Sequence, residues 1–177
     1  EVLTVAADVS DAAQLHAALE RADARFGGLH GIVHAAGDAG GGMMAQRTRA
    51  QVDTVFATKV RGTRVLLDAV RGRPLDFVQF CSSISSVAGG LGMSDYAAAN
   101  AYLDAVAIAH ARVGKFPVFS VNWDAWRGLG MAEHMEVPDG IAGVERDLMR
   151  ERSGAGREAA DSAAFVLAVR ANSIPIR

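Results

Sequence analysis

The 177-residue chain is poor in cysteine, lysine, proline and aromatic residues, with one cysteine, four prolines and an aromatic content of 6%. The lone Cys81 cannot close an internal disulfide and has no partner for a metal knuckle, so the chain suits a reducing compartment and a cytoplasmic location is expected. Charges of both signs are interspersed without a Lys/Arg block, so the basic stripe that grips a phosphate backbone is missing and nucleic acid is not an expected partner. No apolar run approaches the ~20 residues that cross a bilayer, and no basic segment precedes a hydrophobic one as in a signal peptide. Neither a GxGxxG turn between strand and helix nor a Walker loop occurs, and "CSSIS" lacks the glycines of a nucleophile elbow. His30 and His34 have a metal-like spacing, but "HGIVH" reads as a strand, where four residues span ~13 Å, so no metal is expected.

What is present describes an α/β protein. Half of the residues are apolar and 21% are charged, with a net charge of −2 and a pI near 6.2, the balance of one soluble domain. Strand-like runs "VLTVAAD", "LHGIVHAAG", "LDFVQFCSS" and "PVFSVNW" alternate with helical segments "SDAAQLHAALERADARFGG", "TRAQVDTVFATKVRGTRVLLDAVRG" and "SDYAAANAYLDAVAIAHARVG". Ser10 is the expected cap of the first helix and Ser94 or Asp95 of the third, with Gly27, Gly72 and Gly114 as stops. This alternation predicts βαβ units, hence a doubly wound parallel sheet with helices on both faces and ligands at the C-terminal strand ends. After Trp126 the chain turns glycine-, methionine- and charge-rich to about residue 155, an irregular region, and one more helix is expected over "REAADSAAFVLAVRA". Because "EVLTVAAD" begins directly with strand-like residues and Glu1 is not methionine, residues 1–177 read as one partial domain cut from a longer protein.

Each strand end is followed by small or polar residues: "AADVSD", "HAAGDAGGG", "CSSISSVAGGLG" and "VNWDAWRG". Ala35 to Gly37 would let a flat ligand approach the main chain, or simply form a tight turn. Tyr96 and Asn100 stand one helical turn apart on one face. A tyrosine at a helix start usually packs, and a phenol with pKa near ~10 needs a nearby cation to transfer protons at neutral pH. Only two of the 18 basic residues are lysines, Lys59 and Lys115. Lys115 lies at a helix end, whereas Lys59 sits among Val55, Phe56 and Val60, so it reads either as a lysine snorkelling from a core helix or as a desolvated ammonium able to tune a phenol.

"ADVSD", "GIVHAAG", "KVRGT", "CSSISS", "DYAAANAYLDA" and "VNWDAW", in this order and spacing, resemble the ketoreductase domain of modular polyketide synthases, within the short-chain dehydrogenase/reductase superfamily. Ordinary members place lysine four residues after the tyrosine; Asn100 stands there and Lys59 lies upstream, which is similar to the exchange in polyketide synthase ketoreductases. The resemblance implies a Rossmann-like fold, Tyr96 as proton donor, Ser83, thirteen positions earlier, as hydrogen-bond donor to the substrate carbonyl, and Lys59 with Asn100 as the supporting pair. It implies that Asp8 and Val9 flank the adenine of NADPH. His34, Ala35, Ala36 and Gly37 would line the cofactor, and Asn122 and Trp123 would lie near the nicotinamide. Trp126, Met131 and Ala132 would belong to the substrate side and lid. The implied reaction is NADPH-dependent reduction of a 3-oxoacyl thioester on the phosphopantetheine of an acyl carrier protein, beside neighbouring synthase domains. A free-standing reductase of a small ketone and a truncated, non-catalytic segment are the alternatives.

The pattern is also departed from. The family's glycine-rich cofactor turn and its first strands would precede Glu1, so this segment alone is expected to bind NADPH weakly or not at all and to expose a sheet edge. "DAGGGMM" replaces the Leu-Asp-Asp triplet that marks one hydroxyl configuration, and Ala88 stands where a tryptophan marks the other. Neither configuration of the product is therefore indicated.

Overall fold

A computed structural model describes residues 1–124 and the strand Phe165–Ala168. Three strands, β1 (Gly31–His34), β2 (Phe77–Ser83) and β3 (Val118–Trp123), run parallel, and β4 (Phe165–Ala168) pairs antiparallel with β1, giving the order β3-β2-β1-β4. The β1–β2 register sets Gly31 against Phe77, and the β2–β3 register sets Ser83 against Trp123. No residue of β2 is exposed, as expected of a strand at the centre of a sheet.

Helix α1 (Ala12–Phe26) buries Leu15, Ala18, Leu19 and Ala22, the stripe its periodicity predicts, and ends at Gly27 in the left-handed region with φ 82°. Its cap is Asp11 rather than Ser10. Asp8 forms a turn that takes the Ser10 N–H on its carboxylate at 2.8 Å, moving the helix start on by one residue, and the Asp11 carboxylate accepts from Ala13 and Gln14. Helix α5 (Ser94–Val113) packs on the one-turn helix α4 (Ser85–Ala88) and on β2 and β3, and α1 packs on α3 (Gly62–Ala69). Leu15, Leu19, Ile32, Leu66, Val78 and Phe80 form the centre of the core.

Further expectations are corrected. The run "VLTVAAD" is not a strand: it pairs with none of the four described strands, and β-propensity without a ladder partner does not make a strand. The β1 edge is covered by β4 rather than exposed. The helix expected over "REAADSAAFVLAVRA" contains strand β4 in its described part: pairing with β1 outweighs the helix propensity of its alanines. Neither Ser94 nor Asp95 precedes α5; Met93 does, without a side-chain cap. The irregular region expected over 127–155 lies outside the described residues.

The helix expected over residues 48–72 is split. Thr48 caps α2 (Arg49–Phe56) with a capping box to Gln51, a wide π turn follows over Ala57–Arg61, and α3 continues from Gly62. Within the turn the Gly62 N–H bonds to the Ala57 carbonyl five residues back. The Thr63 hydroxyl, fully buried, donates to the Lys59 carbonyl at 2.5 Å, taking an acceptor that the wider winding misaligns. Gly62 makes the turn packable: a β-carbon there would stand 2.7 Å from Val9 Cγ1.

Candidate active site

The C-terminal ends of β1, β2 and β3, the π turn and the first two turns of α5 meet at one edge of the sheet. The π turn aims Lys59 inward, where only 2% of its surface is exposed. Its Nζ donates to the Cys81 carbonyl on β2 at 2.9 Å and stands 5.8 Å from the centre of the Tyr96 ring, within cation–π range. Burial drives the Lys59 ammonium down from 10.5 to about 8, against the opposing pull of Cys81 and Asp104. Of the two readings open for Lys59, the structure gives the desolvated one.

Asn100 is fully buried one turn beyond Tyr96; its Nδ2 donates to the Tyr96 carbonyl at 2.8 Å, and its Oδ1 has no partner among the described residues. Of the two serines that end β2, Ser82 is buried and donates to the Asn100 carbonyl at 3.3 Å, while Ser83 is half-buried and takes the Ser85 N–H at 3.2 Å. The alternation of a pleated strand thus leaves Ser83 as the accessible hydroxyl. Lys59 and Asn100 are thus brought to Tyr96, and Ser83 ends the strand whose Cys81 carbonyl takes Lys59 and whose Ser82 bonds the Asn100 carbonyl.

The residues expected around a cofactor are distributed along the same edge. His34 ends β1 fully buried and edge-on to Phe80, and neither ring nitrogen is hydrogen-bonded in good geometry among the described residues. Burial first and the Lys59 charge second hold its imidazole down at about 3, so it is neutral. Ala35 and Gly37 are half-buried and Ala36 is 2% exposed, so no side chain longer than a methyl stands on this loop. Asp8 is exposed, whereas Val9 is buried against the π turn. Trp123 lies 42% exposed at the end of β3. An extended ligand with a flat ring fits such an edge, small along β1 and aromatic at β3. Trp126, Met131 and Ala132 lie outside the described residues.

Two constellations were not foreseen. Asp104, one turn beyond Asn100, accepts from Ser86 at 2.6 Å, Ser120 at 2.5 Å and Asn122 at 2.9 Å, and Asn122 also bonds Ser83 and Ser86. Burial alone would raise this carboxyl, and the hydrogen bonds together outweigh it and hold it low. Asn100 and Asp104 share a helix face with Tyr96, a periodic signal that could have revealed the cluster. The second, Arg47 with Asp95, joins residues 48 apart and has no local signature.

Among the described residues, no group of three or more His, Cys, Asp and Glu gathers to hold a metal, and no helix is long and apolar enough to cross a membrane.

A sheet of parallel strands with helices packed on it, its polar side chains lying at the C-terminal strand ends, is a Rossmann-like fold. The fold is shared with a short-chain dehydrogenase/reductase of Brucella melitensis, at a TM-score of 0.65 over 70% of this chain and 55% of that one, with 19% identity. The family model of the KR domain matches residues 1–128. The chain is 34% identical over 140 residues to a 6-methylsalicylic acid synthase of Penicillium expansum, covering 76% of this chain and 8% of that protein. It is 34% identical over 135 residues to the polyketide synthase PksN of Bacillus subtilis, covering 73% of this chain and 2% of that protein. A crystal structure of a ketoreductase domain from the bacillaene assembly line superposes at a TM-score of 0.71 with 34% identity, over 81% of this chain and 36% of that one. The chain therefore belongs to the ketoreductase domains of polyketide synthases, in the short-chain dehydrogenase/reductase superfamily, an oxidoreductase family that works with a nicotinamide cofactor. It spans less than a tenth of the length of these two curated relatives, which are large synthases.

Proposed function

We propose that the chain carries the catalytic part of a reductase that converts a 3-oxoacyl thioester, held on the phosphopantetheine of an acyl carrier protein, to the 3-hydroxyacyl product during polyketide chain extension. Neighbouring synthase domains would supply and remove the acyl carrier. NADPH, when bound along the strand ends, supplies the hydride. The observation that carries this reading is the buried Lys59 ammonium, 5.8 Å from the Tyr96 ring although 37 residues separate the two in sequence.

Charge develops on the carbonyl oxygen as the β-carbon is reduced, and the Ser83 and Tyr96 hydroxyls are the donors for it. Tyr96 gives up its proton to that oxygen, and Lys59 stabilises the phenolate left behind. Asn100 ties its amide to the Tyr96 carbonyl and so fixes the first turn of α5. Residues 34–37, with Asp8 and Val9, form the cofactor side of the edge, and Asn122 and Trp123 its nicotinamide end. A free-standing reductase with lysine four residues after tyrosine is disfavoured by Asn100 at that position.

The test follows NADPH oxidation by the complete protein that carries this chain, with a 3-oxoacyl thioester on an acyl carrier protein. Tyr96→Phe is expected to lower kcat by about 10²- to 10⁴-fold, the usual contribution of a positioned acid. Full activity in that variant would sink the mechanism.

A further inference from the structure

We propose that Arg47 and Asp95 are positioning residues for the reaction: together they fasten the Gly40–Gly42 loop that follows β1 to the first turn of α5 and so fix where Tyr96 stands. The inference rests on the reading of Tyr96 as proton donor. Both side chains are largely buried, at 11% and 5% exposure, and the Arg47 Nη2 and Nε donate to the same Asp95 oxygen at 2.5 and 2.9 Å. The other Asp95 oxygen accepts the backbone N–H of Tyr96 itself at 2.9 Å. Arg47 Nη1 donates to the Gly41 carbonyl at 2.8 Å, and Nη2 also reaches the Gln51 carbonyl at 3.2 Å. One unbroken chain of polar contacts thus runs from the Gly41 carbonyl through Arg47 and Asp95 to the Tyr96 amide.

The loop is shaped to this pair. Gly40 has φ +60°, and a β-carbon there would lie 2.7 Å from Val55 Cγ2, 3.0 Å from Arg47 Nη2 and 3.3 Å from Asp95 Oδ2. Gly42 in turn lies against Gly92, just before α5, so closely that a β-carbon on Gly92 would stand 3.4 Å from the Gly42 nitrogen. The loop after β1 therefore reaches the start of α5 twice, through the ion pair and through bare backbone. Met93, in the capping position, offers no side-chain cap, so the Asp95 carboxylate is the side-chain acceptor in that turn.

A buried ion pair adds little net stability over an apolar pair of similar volume, although loss of one partner strands the other's charge. What this pair adds is direction: Arg47 holds three acceptors in a planar fork that a methionine cannot reproduce. A misplacement of about 1 Å of a reacting group can cost about 10²-fold in rate. The pair therefore acts on turnover and on which face of the carbonyl is reduced, rather than on cofactor affinity.

The experiment compares wild type, Arg47→Met, Asp95→Asn and the double variant in the complete protein, with NADPH and a 3-oxoacyl thioester. The single variants are expected to lose thermal stability, and the double variant to regain it because no charge is left unpaired. Its kcat is nevertheless expected to stay about 10- to 100-fold down, with KM for NADPH within about twofold of wild type and an eroded ratio of hydroxyl enantiomers. A double variant with wild-type kcat and enantiomer ratio overturns the proposal. Should it fail to fold, Arg47→Lys, which keeps the charge but loses the fork, decides by the same two readouts. An unreactive wild type would defeat the reductase reading instead. Amide exchange at Gly41, Gly42 and Tyr96 then decides, with faster exchange in the variant expected and equal rates overturning the pair.

Discussion

Lys59 shows what a single side chain costs the fold. Its ammonium is buried with one carbonyl as its hydrogen-bond acceptor among the described residues, and its fall from 10.5 to about 8 corresponds to about 3 kcal/mol that the charged native state gives up at neutral pH. Lys59→Met keeps the length and removes the charge, and it is expected to raise stability at pH 7 by about 1–3 kcal/mol, some of the gain being offset by the Cys81 carbonyl left without its donor. The same change should lower reductase turnover by about 10²-fold or more, because the phenolate of Tyr96 loses its counter-charge. Urea denaturation at pH 7 checks the first half and steady-state rates the second; a Lys59→Met variant less stable than wild type would contradict the burial cost. Lysine's scarcity and the apolar residues around position 59 made this side chain legible in the sequence. Asn100 was legible too, as the residue standing where lysine ordinarily follows tyrosine. That its Oδ1 is buried without a partner among the described residues was not, since burial depends on what packs over the helix.

At the scale of elements, the π turn between α2 and α3 is the device that turns Lys59 inward. Glycine inside a helix ordinarily costs up to about 1 kcal/mol relative to alanine, so Gly62→Ala would be stabilising in an open helix. Here the added methyl meets Val9 at 2.7 Å, and the expected outcome is a loss of about 1–3 kcal/mol. Val9→Ala should relieve much of that loss, so a double-mutant cycle on the two positions is expected to give a coupling of about 0.5–3 kcal/mol, and additive changes would refute the contact. The sequence showed that a helix ran through this stretch but not that it widens there: Gly62 was its only local mark, and a glycine inside a helical pattern has many readings. The strands β1, β2 and β3 were legible because each is a compact apolar run bounded by turn residues. Strand β4 was not, because the alanines before it favour helix locally and only its pairing with β1, more than 130 residues away, decides otherwise. The Arg47–Asp95 bridge escaped for the same reason, being a contact between residues distant in sequence, whereas Asp104 lay within reach of the helix periodicity.

For the whole molecule, the groups with depressed pKa values all make stability rise with pH, whereas turnover makes the opposite demand. His34 is held near 3 in the folded protein against 6.5 ordinarily, so the unfolded chain takes up a proton first as pH falls. Its contribution to stability is complete above about pH 6.5 and is lost as pH falls through its folded value, a total on the order of 5 kcal/mol with a slope of about 1.4 kcal/mol per pH unit. Asp104, held low by its hydroxyl and amide donors, adds a further loss in the carboxylate range. Lys59 acts at the other end. Between about 8 and 10.5 the folded protein has released a proton that the unfolded chain still binds, so stability rises with pH across that window. The protein should therefore be most stable on the alkaline side, whereas turnover, which needs Lys59 charged, should decline above about pH 8. Denaturant midpoints and kcat/KM measured across about pH 4–10 are expected to move in opposite directions above about pH 8. His34→Gln should flatten the acid limb of the stability profile, and Lys59→Met the alkaline rise. Parallel profiles for stability and turnover on the alkaline side would mean that the lysine buried against Tyr96 does not govern the reaction.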